Sequence, residues 1–184
     1  MINTVKLIAQ ALSIIAMAMA IISYQQKSQK KVIFFQLLAN AFFCVSFFML
    51  GALLGGILNL VSAIRATVFI YKKQLKTDNL IWFIGFMIVY VISYVSIFAV
   101  FGKEFTLYNA ILELFPIIGM VSSTVGYRAK SAKAVRISGL VNEPAWLVYN
   151  IACFSIGAII CNVFCTISII IGFIRLDRKE KTIS

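Results

Sequence analysis

Two asparagines, Asn59 and Asn162, lie near the middle of long apolar stretches of the sequence. A polar side chain at membrane depth is unfavourable unless it faces a cavity or a partner, so its position carries information. Two carboxamides that face one another would offer hydrogen-bond donors and acceptors to a polar ligand. The alternative is that each Asn bonds a neighbouring helix and serves only packing. Side-chain chemistry alone leaves both interpretations open.

Aromatic and polar residues share a helical face in two further apolar stretches. Asn40 and Phe43 lie three residues apart, and Glu143, Trp146 and Asn150 follow at spacings of three and four, which place them on one side of an α-helix. A ring that stacks beside amides suits a small polar molecule with an apolar face, although a Trp can also simply fill space between helices. We predict that six residues contact a solute: Asn40, Phe43, Asn59, Trp146, Asn150 and Asn162.

Three ionisable residues and one proline are candidates for gating or coupling. Arg65 and Glu143 lie at similar depths above one membrane face and could pair, either as a gate or as a structural staple. Glu113 lies one turn before Pro116. As a lone carboxyl, Glu113 would either titrate and couple transport to protons or bond the backbone that the proline leaves free. Pro116 can hinge its helix, because it removes a backbone hydrogen bond.

The elements that carry these residues must be membrane-spanning helices. The composition is 62% hydrophobic with a mean hydropathy of +1.00, which exceeds what a soluble domain accommodates. A spanning helix needs about 20 apolar residues. We therefore predict an all-α membrane protein with seven spans, at residues 5–24, 32–50, 52–72, 80–101, 106–125, 136–152 and 155–174.

The positions of Lys and Arg orient these spans. With the N-terminus outside, fourteen basic residues fall on one face of the membrane, and only Lys6 and Lys103 fall on the other. Because cytoplasmic loops collect Lys and Arg, the C-terminus is predicted to be cytoplasmic, and the net charge of +11 reflects topology rather than nucleic-acid binding. Four aromatic residues near that face are expected to lie at the membrane interface: Tyr24, Tyr71, Trp82 and Tyr127.

An internal repeat appears when the chain is compared with itself at an offset of 103 residues. The Lys27-Ser28 pair then aligns with Lys130-Ser131, and Asn59 aligns with Asn162. The repeat predicts a 3+1+3 arrangement, with one three-helix unit in residues 1–76, a linking helix in 77–104, and a second unit with a short basic tail in 105–184. Two such parallel units with a substrate site between them are a known plan of transporters.

Particular runs of residues resemble known membrane families. The two Lys-Ser loops and the run Asn142–Asn150 resemble the PQ-loop (MtN3) superfamily, which includes the SWEETs. The run Leu50–Ala52, the later run Trp146–Asn150 and the closing Ile174-Arg175 pair are similar to the YgjV family of bacterial inner-membrane proteins. The second resemblance covers nearly the whole chain and implies a multi-pass protein of the bacterial cytoplasmic membrane.

The SWEET-like resemblance also implies a function for particular residues. In that branch, sugars move by facilitated transport through a central cavity, and the lining roles fall on Asn59, Asn162 and Trp146, with Phe43 as the second-helix counterpart. The chain departs from the pattern in lacking the Pro-Gln pair and in having prolines in one unit only. A symmetric proline-hinged gate is therefore not expected.

Taken together, the sequence predicts a transporter, acting as a facilitator of a small polar metabolite, with sugar as one candidate. The alternative is a non-transporting membrane regulator or assembly factor of the same fold. No enzyme, cofactor or metal site is expected, because the chain has no histidine and its four cysteines lie in apolar segments. The expected partners are the solute and the lipid bilayer, without nucleic acid; a homodimer is compatible with the sequence but not indicated by it.

Overall fold

A computed structural model describes residues 4–50, 53–153 and 156–177, and all regular structure within them is helical. Seven of the helices are long, and each coincides with one predicted span to within four residues at either end. The short α4 was not predicted. The described helices are α1 (Thr4–Ser23), α2 (Gln29–Met49), α3 (Leu53–Ile70), α4 (Lys72–Leu75), α5 (Leu80–Ala99), α6 (Leu107–Arg128), α7 (Ala132–Ala152) and α8 (Ile156–Gly172), followed by a π-helical turn (Phe173–Asp177).

Five of the described helices are long and apolar enough to cross a membrane, namely α1, α2, α5, α6 and α8 with its π-helical turn. Helix α3 is apolar but shorter, with 18 residues. Helix α7 has 21 residues but includes Lys133, Arg136 and Glu143, which lower its hydropathy. Two residues of the run Leu50–Ala52 and three of the fourteen basic residues lie outside the described part of the chain: Gly51, Ala52, Arg178, Lys179 and Lys181.

Helices α2 and α7 begin in the same way. Each has 21 residues and follows a serine whose hydroxyl oxygen accepts a hydrogen bond from a backbone N–H in the first turn. The donors are Lys31 N to Ser28 Oγ, at 3.3 Å, and Ala134 N to Ser131 Oγ, at 3.1 Å. Serine is a favoured N-cap because it satisfies one of the unpaired N–H groups at a helix start. The helix bounds therefore follow the register of the sequence repeat.

The long helices pack as two groups and one separate helix. Helices α1, α2 and α3 pack in sequence and form what we call the first group; α6, α7 and α8 do likewise and form the second group. Between the groups, α1 packs against α8, α2 against α7 and α3 against α6, while α5 packs on α6. Exchanging α1 with α6, α2 with α7 and α3 with α8 converts the contacts among these six helices into one another; the α5–α6 contact is not part of this symmetry.

The loops rich in Lys and Arg meet at one end of the bundle, which we call the basic end. There Gln29 Nε2 donates to the carbonyl oxygens of Tyr127, at 3.1 Å, and Ala129, at 2.5 Å. Lys72 Nζ donates to Ala129 O at 3.1 Å, and Arg136 Nη1 donates to Gln26 O at 2.9 Å. The α5–α6 and α7–α8 connections lie at the opposite end.

Candidate functional site

A cavity of about 450 Å³ lies between the two helix groups. Its lining residues come from all six helices of the two groups and from Tyr24. Small-molecule sites commonly have volumes of about 300 to 1,000 Å³, so a small solute fits. The predicted solute contacts all line this cavity, as do two of the predicted gating residues: Asn40, Phe43, Asn59, Trp146, Asn150 and Asn162, with Arg65 and Glu143.

Glu143 of α7 is the centre of a buried hydrogen-bond network on the wall of the cavity. Its Oε1 accepts from the Tyr24 hydroxyl at 2.8 Å and from Asn142 Nδ2 at 3.1 Å. Its Oε2 accepts from Asn162 Nδ2 at 2.8 Å, and Asn162 Oδ1 in turn accepts from Asn150 Nδ2 at 2.8 Å. Glu143 is therefore held in place by side chains from both helix groups.

Arg65 of α3 lies on the other side of the cavity wall and is also buried. Its Nη1 donates to the Tyr90 hydroxyl at 3.0 Å and to Met120 O at 2.9 Å. Its guanidinium carbon lies 5.2 Å from the centre of the Tyr127 ring, within cation–π range. Arg65 thereby links α3 to α5 and α6.

Arg65 and Glu143 do not form the ion pair that the sequence allowed. Arg65 bonds neutral oxygens, Glu143 accepts from neutral donors, and the three ion pairs among the described residues involve other side chains. The pair is therefore neither a staple nor a closed gate in this conformation. Both charges border the cavity instead.

The two central asparagines occupy different hydrogen-bond environments. Asn162 belongs to the Glu143 network, whereas Asn59 Nδ2 donates to Gly55 O on its own helix, at 2.8 Å. They line one cavity but do not bond each other. The register of the repeat places Asn59 and Asn162 at equivalent positions. The same register aligns Glu143 with Asn40, so the carboxylate has no counterpart in the first group.

The sequence-based interpretation of Glu113 as a lone carboxyl was wrong. Glu113 Oε1 forms an ion pair with Lys103 Nζ at 2.5 Å and lies 3.5 Å from the Tyr149 hydroxyl that donates to it. Neither Glu113 nor Pro116 lines the cavity. Helix α6 continues through Pro116, and α7 continues through Pro144.

Tyr24 and Tyr127 are not interfacial anchors, contrary to the sequence prediction. Each is 3% exposed, and both line the cavity on the side of the basic end. A helical-wheel comparison could have found them, because Tyr127 lies on the same face of α6 as Met120 and Ser123. Tyr71, in contrast, is exposed beside the basic loops, as predicted for an interfacial residue.

A buried ion pair at the basic end escaped the sequence analysis. Arg136, which the sequence predicts to be a loop charge, is 1% exposed, and its Nε donates to Asp177 Oδ2 at 2.7 Å. Its Nη2 bonds the other carboxylate oxygen, so the contact is bidentate. Through Nη1, Arg136 also donates to Tyr24 O at 3.3 Å and to Gln26 O at 2.9 Å. One side chain thus joins α7, the π-helical turn and the α1–α2 loop.

Hydrogen bonds join the two helix groups at the basic end of the cavity. Among the described residues, every hydrogen bond between the two groups lies between the middle of the bundle and that end, from Arg65 and Glu143 to Lys72. Toward the opposite end the cavity reaches Phe47 and Gly157, and a Cβ added at Gly157 would meet no atom within 4 Å. Direct polar links between the groups are therefore concentrated at the basic end.

Comparison with known proteins identifies the family. A sequence model of the Imp-YgjV family, described as bacterial inner membrane proteins, matches residues 7–180. The chain belongs to this family. The Imp-YgjV match makes it a multi-pass protein of the bacterial inner membrane, in agreement with its apolar helices. No curated protein and no solved structure is significantly similar to it.

Proposed function

We propose that this protein is a carrier that moves a small polar solute across the inner membrane by alternating access. The observation that supports the proposal most strongly is the cavity of about 450 Å³, which two helix groups enclose and which buried amide and charged side chains line. Intramembrane ionisable residues usually face such a cavity and mark a substrate path. Sugar remains one candidate for the solute.

We further propose that all seven long helices cross the membrane, with the N-terminus outside and the basic end in the cytoplasm. Five helices are long and apolar enough by themselves, and α3 and α7 pack along them within the same two groups. Only an alternating path through all seven brings the four basic segments to one end. The exchange symmetry of the helix contacts supports a SWEET-like 3+1+3 plan with α5 as the linking helix.

The proposed topology predicts the labelling pattern of single cysteines. Cys153 is exposed at the opposite end, and Lys130 is exposed in the loop at the basic end. In a variant that retains only Cys153, a membrane-impermeant maleimide should label intact spheroplasts. A variant whose only cysteine is Lys130→Cys should be labelled only after the membrane is opened. The reverse pattern, or labelling of both sites from one side, would refute the topology.

The structure supports an outward-facing state within this proposal. Hydrogen bonds join the two groups at the cytoplasmic side, whereas on the other side the cavity reaches Phe47 and Gly157. An inward-facing state would require the contacts of Gln29, Lys72 and Arg136 to break. Rigid rocking of one helix group against the other would exchange the two states.

The alternative function is a non-transporting membrane protein with the same fold. One observation favours it: the amides of Asn59 and Asn162 both bond within their own group, as packing residues do. That reading predicts no cavity between the two asparagines, whereas both line a cavity large enough for a solute. We therefore prefer the carrier.

A thermal-shift screen of the purified protein tests the carrier proposal. Sugars, nucleosides, vitamins and amino acids are added to the protein, to Asn162→Ala and to Asn109→Ala. A ligand at 100 times its Kd stabilises the folded state by about 2.7 kcal/mol. Asn109 is the control, because it bonds Glu104 O near the opposite end and does not line the cavity.

The proposal predicts a shift that survives in Asn109→Ala and is lost in Asn162→Ala. If no compound shifts the unmodified protein, the non-transporting alternative gains support. A shift that persists unchanged in Asn162→Ala would place the ligand outside the cavity and contradict the proposed site.

A further inference from the structure

Two buried charges of opposite sign border the cavity, and neither has a counter-ion. Arg65 is 4% exposed and Glu143 is 7% exposed. The ion pairs among the described residues are Lys72–Asp78, Lys103–Glu113 and Arg136–Asp177. An uncompensated charge in a low-dielectric interior is costly, and two at one cavity call for an explanation.

The free side of Arg65 has the geometry of an anion site. Its Nη1 donates to the Tyr90 hydroxyl, to Met120 O and to the Thr124 hydroxyl, and the Tyr127 hydroxyl also interacts with the guanidinium. Among the described residues nothing accepts a bond from Nε, which is buried, and no bond is formed by Nη2. The Nε and Nη2 atoms form the edge of a guanidinium that binds a carboxylate through two parallel hydrogen bonds.

Glu143 retains capacity for one more donor. An ionised carboxylate has about four acceptor positions. Three are taken, by Tyr24, Asn142 and Asn162. All three donors are neutral, so they orient the carboxylate without neutralising it. An ammonium group would supply both the missing donor and the missing charge.

We infer that the cavity binds a zwitterionic solute of the amino-acid class, with its carboxylate on the Nε/Nη2 edge of Arg65 and its ammonium on Glu143. The solute's apolar part then lies against the rings of Phe43 and Trp146, which line the same cavity. Such a solute provides a counter-charge for both Arg65 and Glu143, whereas a neutral sugar provides a counter-charge for neither. The inference rests on the proposed carrier function and names its substrate class.

The test compares ligands that carry one charge, both charges or none. Thermal shifts of the full-length protein in detergent are measured with the standard L-amino acids and γ-aminobutyrate. The amino acid with the largest shift is then compared with its amide, which keeps only the positive charge, and its N-acetyl derivative, which keeps only the negative one. D-glucose, myo-inositol and uridine serve as neutral ligands.

Two variants assign the charges. Glu143→Gln keeps the size of the side chain and removes its negative charge, while Arg65→Gln removes the guanidinium. We expect each to weaken binding of the zwitterion at least about 30-fold, since truncating one partner of a buried charged contact costs about that much or more. Arg65→Lys keeps the positive charge but lacks the Nε/Nη2 edge. It should therefore bind the zwitterion more tightly than Arg65→Gln and less tightly than the unmodified protein. Asn109→Ala should bind as the unmodified protein does.

The outcomes separate this inference from the carrier proposal. Binding of the zwitterion, with the amide and the N-acetyl derivative each at least about 30-fold weaker, supports the inference. Binding of a neutral ligand alone, or of a singly charged derivative as tightly as the zwitterion, overturns it and leaves the carrier intact. The absence of any shift with all compounds overturns the inference and supports the non-transporting alternative to the carrier. If a variant does not fold, the comparison of the amino acid with its two derivatives on the unmodified protein still decides.

Discussion

Replacing Asp177 by Asn is expected to lower the free energy of unfolding by about 3 to 5 kcal/mol. The change leaves the guanidinium of Arg136 buried without its bidentate carboxylate, at a position where Arg136 is 1% exposed. The amide keeps the shape of the side chain and one oxygen, so the effect reports the lost charge. Denaturation by SDS in mixed micelles, followed by tryptophan fluorescence, measures the change.

Asp78→Asn is the matched control for this prediction. Asp78 also pairs with a basic residue, Lys72, at 3.3 Å, but its side chain is 65% exposed. Exposed ion pairs contribute about 0 to 1 kcal/mol, so this variant should unfold nearly as the unmodified protein does. If the two substitutions lower the free energy of unfolding equally, the Arg136–Asp177 ion pair does not stabilise the packing at the basic end.

Replacing Gly172 by Ala is expected to destabilise the protein by about 1 to 3 kcal/mol. A Cβ at this position would lie 2.5 Å from Tyr24 O and 3.2 Å from Arg136 Cδ. The carbonyl of Tyr24 belongs to the backbone and also accepts from Arg136 Nη1, so it cannot move without disturbing the ion-pair cluster. The same denaturation experiment measures the loss.

Gly157→Ala tests the same substitution at the other end of the same helix. A Cβ there meets no atom within 4 Å, and alanine favours a helix by about 1 kcal/mol over glycine. We expect this variant to be unchanged or slightly more stable. If Gly172→Ala is as stable as Gly157→Ala, the close packing of α8 on the α1–α2 loop is not the structure in solution.

The helices could be predicted from the sequence because the membrane imposes a length and a composition on each one. Apolar runs set the bounds of the seven long helices to within four residues. The Ser28 and Ser131 loops also showed where α2 and α7 begin, since serine is a favoured cap. Helical spacing alone placed Asn40, Phe43 and Trp146 on faces that line the cavity.

The partners of the charged residues could not be predicted, because they depend on how distant helices pack. Arg136 and Asp177 are 41 positions apart, and both appeared to belong to solvated basic segments. The sequence predicts a loop charge at Lys103, although Lys103 pairs with Glu113. The composition does indicate such pairs. The chain has six acidic residues and seventeen basic ones, so each acidic residue has many basic residues with which it can pair.

The separation of Arg65 from Glu143 shows a further limit of reasoning from depth. The two residues lie at similar heights in α3 and α7, and height alone suggested a pair. Height does not specify the direction of a side chain. Neutral groups of α5 and α6 bind Arg65, and Tyr24 and Asn162 bind Glu143, so the two charges stay apart across the cavity wall.

Counterflow in proteoliposomes tests directly whether the protein carries a solute across the membrane. Vesicles that contain the purified protein are loaded with the ligand found by thermal shift and diluted into a trace of the same ligand in radioactive form. We expect transient accumulation of the label in these vesicles and none in vesicles with Asn162→Ala. A ligand that binds in the cavity but produces no counterflow would contradict the carrier and favour a non-transporting receptor or regulator.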